Sequence, residues 1–131
     1  MTIDRDVPRR PRILVVEDNN LNADMLSRRL VRAGFEVLAA VDGVQAVAQA
    51  VQECPALILM DISLPEIDGW EATRRLKNTA ATSAIPIIAL SANVMAGVRE
   101  RSLSMGCQEF EPKPIDFASL LAKIAALLPN A

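Results

Sequence analysis

The stretch that decides the fold is Ala56-Leu57-Ile58-Leu59-Met60-Asp61, in which five consecutive apolar residues end in a carboxylate. An apolar run of this length is typical of a strand that is buried on both faces, as in a parallel sheet. Such a strand delivers the Asp61 side chain to its carboxyl end. Because ligands of open α/β sheets bind at the carboxyl ends of the strands, the stretch predicts an acid at the binding edge of a parallel sheet.

Other predicted strands also end in groups that can do chemistry. The first strand leads directly into Glu17 and Asp18, the fourth leads into Ser91, and the fifth approaches Lys113. If these strands are parallel and adjacent to the strand of Asp61, all of their terminal groups meet at one edge of the sheet. The sequence therefore predicts one pocket that contains three acids, a hydroxyl and a lysine.

Strands and helical patterns alternate along the whole chain, which predicts βαβ units and an α/β fold with a parallel sheet. The strands are predicted at 12–16, at 36–40, up to 61, after 86 and at 109–113. Right-handed crossovers place helices on both faces of the sheet and make the fold doubly wound. The strand order 2-1-3-4-5 is taken from known five-stranded folds of this class, and it makes the first and third strands neighbours. In that order Glu17, Asp18 and Asp61 come within reach of one another.

Five helices are predicted from capping residues and apolar spacing. The expected caps are Asn19 or Asn20 for the first helix and Asp116 for the fifth, and Asp42-Gly43 is expected to form the turn into the second helix. The third helix is expected at about 69–78, and the fourth at about 94–105 with Gly97 inside it, which weakens that helix. The expected apolar positions are Leu21, Met25, Leu26 and Leu30 in the first helix, Val44, Val47, Ala48 and Val51 in the second, and Phe117, Leu120, Leu121, Ile124 and Leu128 in the fifth.

The composition fits one domain with an aliphatic core. The chain has 131 residues, of which 51% are hydrophobic and 3% aromatic, and this length is sufficient for a substantial core. A net charge of −2 and a pI of about 5.1 give no reason to expect nucleic acid or an anionic membrane as a partner. No apolar stretch approaches the roughly 18 residues of a membrane span.

The ends and the cysteines are also informative. Residues 1–11 are polar and contain proline, so we expect a flexible N-terminal arm, a domain at 12–128 and a short tail at 129–131. Cys54 and Cys107 have no Cys-x-x-Cys spacing, and we expect both to be buried free thiols in a reducing cytoplasm.

Three carboxylates packed together repel one another, and this conflict predicts a cation site. A hard divalent ion resolves the repulsion, and Mg²⁺ suits a few carboxylates together with water and phosphate oxygens. Zinc is disfavoured because the chain has no histidine and no cysteine near these strand ends. An aspartate beside Mg²⁺ and a lysine is a nucleophile suited to form an aspartyl phosphate.

Four segments together resemble the response-regulator receiver family, especially small stand-alone regulators and the receivers of hybrid histidine kinases. They are Val16-Glu17-Asp18-Asn19, Leu59-Met60-Asp61-Ile62-Ser63-Leu64-Pro65, Ala89-Leu90-Ser91-Ala92 and Glu111-Pro112-Lys113-Pro114. The resemblance extends over about residues 12–128. It implies a flavodoxin-like fold and a role in bacterial two-component or phosphorelay signalling.

The resemblance also implies roles for the acidic residues. Asp61 matches the residue that accepts a phosphoryl group from a histidine kinase or a histidine phosphotransfer protein. Glu17 and Asp18 match the acidic pair that binds Mg²⁺, and the backbone carbonyl of Ser63 would complete the protein ligands together with Asp61.

The resemblance assigns the switching and phosphoryl-contacting positions as well. Ser91, followed by Ala92, matches the switch hydroxyl, and Lys113 matches the lysine that contacts the phosphoryl group. The Lys113–Pro114 bond is cis in this family. Phe110 occupies the second switch position, where many relatives have tyrosine, and without a hydroxyl it could switch by packing alone.

Two other classes of protein remain as alternatives. A Mg²⁺-dependent phosphatase of the haloacid-dehalogenase type also uses a strand-end aspartate, but Ser63 stands where that family has a second aspartate, and 131 residues leave no room for a cap domain. A flavin-binding module of the same fold would need hydroxyl and backbone donors after the first strand, where this chain is acidic.

The output of the protein is expected to be contact with another protein. No helix-turn-helix or second domain follows the fifth helix, so the chain would signal through the surface of the fourth helix, fifth strand and fifth helix, or pass the phosphoryl group onward. We expect a cytoplasmic monomer without enzymatic activity beyond slow self-dephosphorylation. The initial methionine and the polar arm favour a stand-alone protein over an excised receiver.

Overall fold

The computed structural model describes residues 10–64, 66–93 and 95–128. Most of the predicted arm, all of the predicted tail, and positions 65 and 94 lie outside the described residues. The strands are β1 (Arg12–Val16), β2 (Glu36–Ala40), β3 (Leu57–Asp61), β4 (Ile87–Ser91) and β5 (Glu109–Pro112). They form one parallel sheet in the order β2-β1-β3-β4-β5, which confirms the predicted doubly wound, flavodoxin-like arrangement.

The helices are α1 (Asn20–Arg32), α2 (Gly43–Glu53), α3 (Gly69–Lys77), α4 (Val98–Met105) and α5 (Phe117–Leu127). Side-chain caps begin four of them, because Asn19, Asp42, Asp68 and Asp116 each accept a hydrogen bond from a backbone N–H in the first turn. The predicted caps of α1 and α5 are therefore confirmed, and the capping roles of Asp42 and Asp68 were not predicted. No helix in the described part of the chain has the length and apolar character needed to cross a membrane.

The sheet separates two hydrophobic layers. On one face, alternate residues of β1 and β3, such as Ile13 and Leu59, pack against Leu30 of α1 and Leu120 of α5. The residues between them pack against α2, α3 and α4 on the other face. Every residue of β3 and β4 is buried, as expected for central strands of a parallel sheet that is covered on both sides.

The predicted apolar stripes of α1 and α2 are partly wrong. Leu21 and Met25 are 76% and 63% exposed, because α1 turns Leu26 and Leu30 toward the sheet and a helix rotates about 100° per residue. In α2 the buried positions are Gly43, Ala46 and Ala50. Small residues face inward there because the helix packs closely: a Cβ on residue 43 would lie 2.5 Å from the side chain of Ile67.

The start of α4 and the environment of one cysteine also differ from the predictions. Gly97 precedes α4 as its N-cap with φ of 92°, a value that suits glycine and is incompatible with the interior of a right-handed helix. Cys107 is buried, but Cys54 is exposed, because it ends α2 in a left-handed conformation with φ of 46° that carries its side chain to the surface.

Candidate functional site

Three acidic side chains meet where β1 and β3 end. Val16 pairs with Met60 in the sheet, so the next residues, Glu17 and Asp61, leave neighbouring strands side by side. Asp18 follows in the loop before α1, and one carboxylate oxygen from each of Glu17, Asp18 and Asp61 lies within 4.8 Å of the others. Glu17 and Asp61 are buried, whereas Asp18 is exposed and opens the cluster to solvent.

Lys113 brings the opposite charge to this cluster. Its backbone N–H donates to the carbonyl of Ser91 at 2.8 Å, which extends the pairing of β5 with β4 to the edge of the sheet. Its Nζ lies 2.7 Å from Glu17 Oε1 and 3.2 Å from Asp61 Oδ2. The ammonium group therefore bridges two of the three carboxylates.

The electrostatics of the site follow from burial and from this bridge. Burial raises the pKa of Glu17, and Asp61 adds to the effect, which together outweigh the lowering by Lys113 and by the backbone N–H of Asn19. Burial lowers the pKa of Lys113, but its contacts with Glu17 and Asp61 raise the pKa above its usual value on balance. Lys113 is therefore a cation at neutral pH, and it offsets one of three acidic charges.

Backbone contacts hold the Asp61 carboxylate in place. Ser63 N–H donates to Asp61 Oδ1 at 2.9 Å, while Oδ2 faces Lys113. Both oxygens of Asp61 therefore have partners, and the carboxylate is oriented at the open end of the strand. Ser63 itself is exposed, and the predicted role of its carbonyl as a metal ligand stays a prediction.

Ser91 ends β4 and is fully buried. It lies next to Asp61, because the residue before it, Leu90, pairs with Asp61 in the sheet. Its hydroxyl accepts a hydrogen bond from Asn93 N–H at 3.0 Å and donates to the carbonyl of Asn93 at 3.1 Å. The hydroxyl is thus engaged with the loop that leads to α4. Ala92, the next residue, is exposed at the rim of the site.

Phe110 lies in β5 opposite Ala89 of β4 and is 7% exposed. Its ring belongs to the core on the face covered by α2, α3 and α4. Phe110 is therefore turned inward, and its predicted part in switching stays a prediction.

Gly69 is a sterically constrained position beside the site that the sequence analysis did not identify. Its N–H donates to the carbonyl of Ile62 at 3.0 Å, and a Cβ there would lie 2.3 Å from the carbonyl oxygen of Asp61. Only glycine lets the start of α3 approach Asp61 this closely. The sequence signal was the pair Asp68-Gly69, a helix cap followed by glycine, shortly after the Asp61 motif.

A groove of about 460 Å³ opens beside the acidic cluster, between α1 and the segment after β5. Its apolar walls come from Met25, Leu26, Ile115 and Phe117, and Glu17 and Lys113 reach it from the site. The guanidinium of Arg29 stacks 4.6 Å above the Phe117 ring at the same place. Pro114 also lines the groove, and the Lys113–Pro114 peptide bond is cis.

The donor set of the cluster fits Mg²⁺. Its ligand atoms are carboxylate oxygens, it retains an excess of negative charge after pairing with Lys113, and its exposed side leaves room for water and a phosphate oxygen. The clustered side chains include neither imidazole nor thiolate, the ligands that favour zinc. The residues that would hold the ion are Glu17, Asp18 and Asp61.

Comparisons with known proteins agree with this geometry. The family model described as the response regulator receiver domain matches residues 13–125. The chain is 36% identical over 118 residues to the DNA-binding dual master transcriptional regulator RpaA of Synechocystis, a match that covers 90% of this chain but 49% of RpaA. It therefore spans about half the length of that relative.

Two further matches cover nearly the whole length of both proteins. The chain is 36% identical over 119 residues to the polar-differentiation response regulator DivK of Brucella ovis, covering 91% of this chain and 97% of DivK. Among solved structures, it is similar to the receiver domain of the sensor histidine kinase PA1611 from Pseudomonas aeruginosa, with a TM-score of 0.86 and 35% identity over 93% of this chain and 100% of that one. That receiver holds a magnesium ion coordinated in its active-site cleft.

Proposed function

The chain belongs to the response regulator receiver domain family, and from this membership we propose that Asp61 accepts a phosphoryl group from a histidine kinase or histidine phosphotransfer protein in a Mg²⁺-dependent reaction. The observation that carries the proposal is the position of Lys113 Nζ, 3.2 Å from Asp61 Oδ2 and beside two further carboxylates. Receivers act as signalling modules and not as classic enzymes.

The proposed transfer is a displacement at phosphorus. An oxygen of the Asp61 carboxylate forms a bond to the phosphorus of a phosphohistidine, the phosphorus–nitrogen bond breaks, and its electron pair returns to the imidazole. Lys113 would exchange its contact with Asp61 for a phosphoryl oxygen while it stays anchored on Glu17, its closer partner at 2.7 Å. Mg²⁺ held by Glu17, Asp18, Asp61 and the Ser63 carbonyl would supply positive charge to the transferring oxygens.

The groove beside the site supports docking of the phosphodonor on α1. Its apolar walls lead directly to Lys113 and Glu17, and the neighbouring Leu21 and Met25 are exposed large apolar side chains of α1. Exposed apolar groups next to a reaction centre are typical of a surface that another protein covers. A helical histidine-bearing partner could therefore contact α1 while it presents its phosphohistidine to Asp61.

The surface of α4, β5 and α5 is the proposed route of output. Buried Glu111 of β5 accepts hydrogen bonds from Lys123 at 2.8 Å and Ser119 at 3.0 Å, and Lys123 also donates to the carbonyl of Phe110. These contacts fasten α5 to β5, so that movement of β5 would be carried to an exposed helix. We propose that a downstream protein reads this surface and that the receiver itself acts as a monomer.

Mass spectrometry tests the acceptor. With Mg²⁺ and acetyl phosphate, the protein should gain one phosphoryl group, and Asp61→Asn should gain none, because an amide oxygen is too weak a nucleophile for this transfer. Asp42→Asn is a matched control, since asparagine also caps helices and the residue lies outside the acidic cluster. Equal labelling of Asp61→Asn would refute the assignment, and phosphate release without an accumulating adduct would indicate a phosphatase.

A further inference from the structure

Helix α4 is held against the rest of the fold by a buried polar residue. Of its eight residues, all of them described, just Ser102 is buried, and this residue is polar. The Ser102 hydroxyl donates to the carbonyl of Val98 at 2.9 Å and accepts a hydrogen bond from the indole Nε1 of Trp70 at 2.9 Å. The buried residue of α4 is therefore hydrogen-bonded to Trp70, which lies in the first turn of α3.

A second contact joins the same two helices. The guanidinium of Arg101, the residue before Ser102, lies 4.1 Å from the centroid of the Trp70 ring. At this distance the cation is attracted to the face of the indole. Trp70 thus contacts α4 twice, through the indole N–H to Ser102 and through the face of the ring to Arg101.

Trp70 is also joined to the phosphoacceptor candidate through the backbone. Its neighbour Gly69 donates to the carbonyl of Ile62 at 3.0 Å, and the Gly69 Cα packs so closely on Asp61 that an added Cβ would lie 2.3 Å from its carbonyl oxygen. No flexible side chain intervenes between these two segments of backbone. A displacement of the Asp61–Ile62 backbone must therefore displace the start of α3.

We propose that Trp70 couples α4 to the state of Asp61, through the chain of contacts Asp61, Gly69, Trp70 and Ser102. This inference rests on the proposed function, because it concerns how phosphorylation of Asp61 reaches the output surface. The route along α3 is a second connection between the site and α4, in addition to the loop held by the Ser91 hydroxyl. It uses a hydrogen bond between residues that are 32 positions apart in the chain.

The variant Trp70→Phe tests the coupling with little structural disturbance. Phenylalanine keeps an aromatic face for Arg101 and removes the N–H, while the Ser102 hydroxyl keeps its bond to Val98 and is not left unsatisfied. Ser102→Ala removes the acceptor from the other side. Ser104→Ala is the matched control, because the Ser104 hydroxyl donates to Arg101 within α4 and is exposed.

The measurement is the change in backbone amide chemical shifts when beryllofluoride and Mg²⁺ are added to each 131-residue protein. We expect Trp70→Phe and Ser102→Ala to keep the changes at Ser63 and Lys113, and to show changes across α4 that are smaller by about twofold or more, as for the loss of one coupling contact. Ser104→Ala should match the parent. Parent-like changes across α4 in both Trp70→Phe and Ser102→Ala would overturn the inference.

Failure of the proposed function gives a different result. If beryllofluoride leaves Ser63 and Lys113 unchanged in the parent itself, the proposed function is wrong and the inference falls with it. The parent also permits a test without substitution, because Trp70 is the only tryptophan of the chain. Its fluorescence should change with the same beryllofluoride dependence as the α4 amides, and a constant emission during that titration would overturn the coupling role.

Discussion

At the scale of residues, the negatively charged side chains of the site outnumber the positively charged ones. Lys113 bridges Glu17 and Asp61, but Asp18 adds a third carboxylate to the same small volume. Burial raises the pKa of Glu17, because the charged form of this carboxylate loses contact with water there. Positive charge brought into the cluster therefore stabilises the folded protein, and this is the physical basis for expecting Mg²⁺ there.

Removal of the Asp18 carboxylate tests this balance. We expect Asp18→Ala to weaken Mg²⁺ binding by roughly tenfold or more, which corresponds to about 1.4 kcal/mol, and to leave the thermal stability without Mg²⁺ equal or higher because like-charge repulsion is relieved. Titration calorimetry and thermal unfolding measure the two quantities.

The control for this prediction is Asp24→Ala, which removes an exposed carboxylate of α1 that pairs with Arg28 outside the cluster. It should keep the parent affinity for Mg²⁺. Unchanged Mg²⁺ affinity in Asp18→Ala, together with lower stability, would mean that Asp18 is a structural residue and not a metal ligand.

At the scale of elements, the first turn of α3 is the part of the fold most closely fitted to the site. Asp68 caps the helix by accepting a hydrogen bond from Glu71 N–H at 2.9 Å, and Gly69 then touches the backbone of Asp61. The atoms that a side chain would meet there belong to backbone, which cannot rotate out of the way. The start of α3 and the backbone of Asp61 therefore form one rigid unit.

Gly69→Ala should consequently affect both stability and the site. We expect a loss of about 1–3 kcal/mol in the free energy of unfolding, the usual range for overpacking, together with slower labelling of Asp61 by acetyl phosphate. Chemical denaturation and mass spectrometry measure these effects.

Gly34→Ala provides the comparison for this substitution. It lies in open space, with φ of 104°, so its cost is backbone strain alone and its labelling should match the parent. If Gly69→Ala labels as fast as the parent and is no less stable, the close approach of α3 to Asp61 is of no consequence for the site.

At the scale of the whole molecule, parallel strands bring groups from distant parts of the chain to one edge of the sheet. Asp61 and Lys113 are 52 positions apart, and Glu17 and Lys113 are 96 apart, yet both pairs form hydrogen bonds. The same edge carries Ser91, whose hydroxyl holds the loop to α4. A phosphoryl group on Asp61 would compete for that hydroxyl, and α4 would then respond.

Ser91→Ala should separate phosphorylation from its consequences. We expect Asp61 to be labelled as in the parent, whereas the shift changes produced by beryllofluoride should be mostly lost at Phe110 and reduced across α4, where the contact of Trp70 with Ser102 remains. The reason is that a hydrogen bond to a charged group contributes about 1.5–3 kcal/mol, enough to displace a two-state equilibrium. Ser83→Ala, an exposed serine bonded to its own turn, is the control. Changes at Phe110 and α4 as large as in the parent would exclude the hydroxyl as a coupling element.

The sequence by itself determined the strands and the chemical groups at their ends. A continuous apolar run that stops at Asp61, and another that stops at Glu17, are local patterns, because a strand buried on both faces needs no partner to be recognised. Capping is also local, so the caps Asn19 and Asp116 were predicted from the sequence. The fold class and the acidic, Mg²⁺-suited character of the edge follow from these patterns.

The tertiary structure decided the features that depend on how elements approach one another. The inward face of α2 carries Ala46 and Ala50 because the helix lies too close to its neighbours for larger side chains, and the spacing of Val44 and Val51 contains no information on that distance. The need for glycine at position 69 and the bond from Trp70 to Ser102 arise in the same way. Each is a contact between the surfaces of different elements, and hydrophobic periodicity records which residues are apolar but not which surfaces will meet.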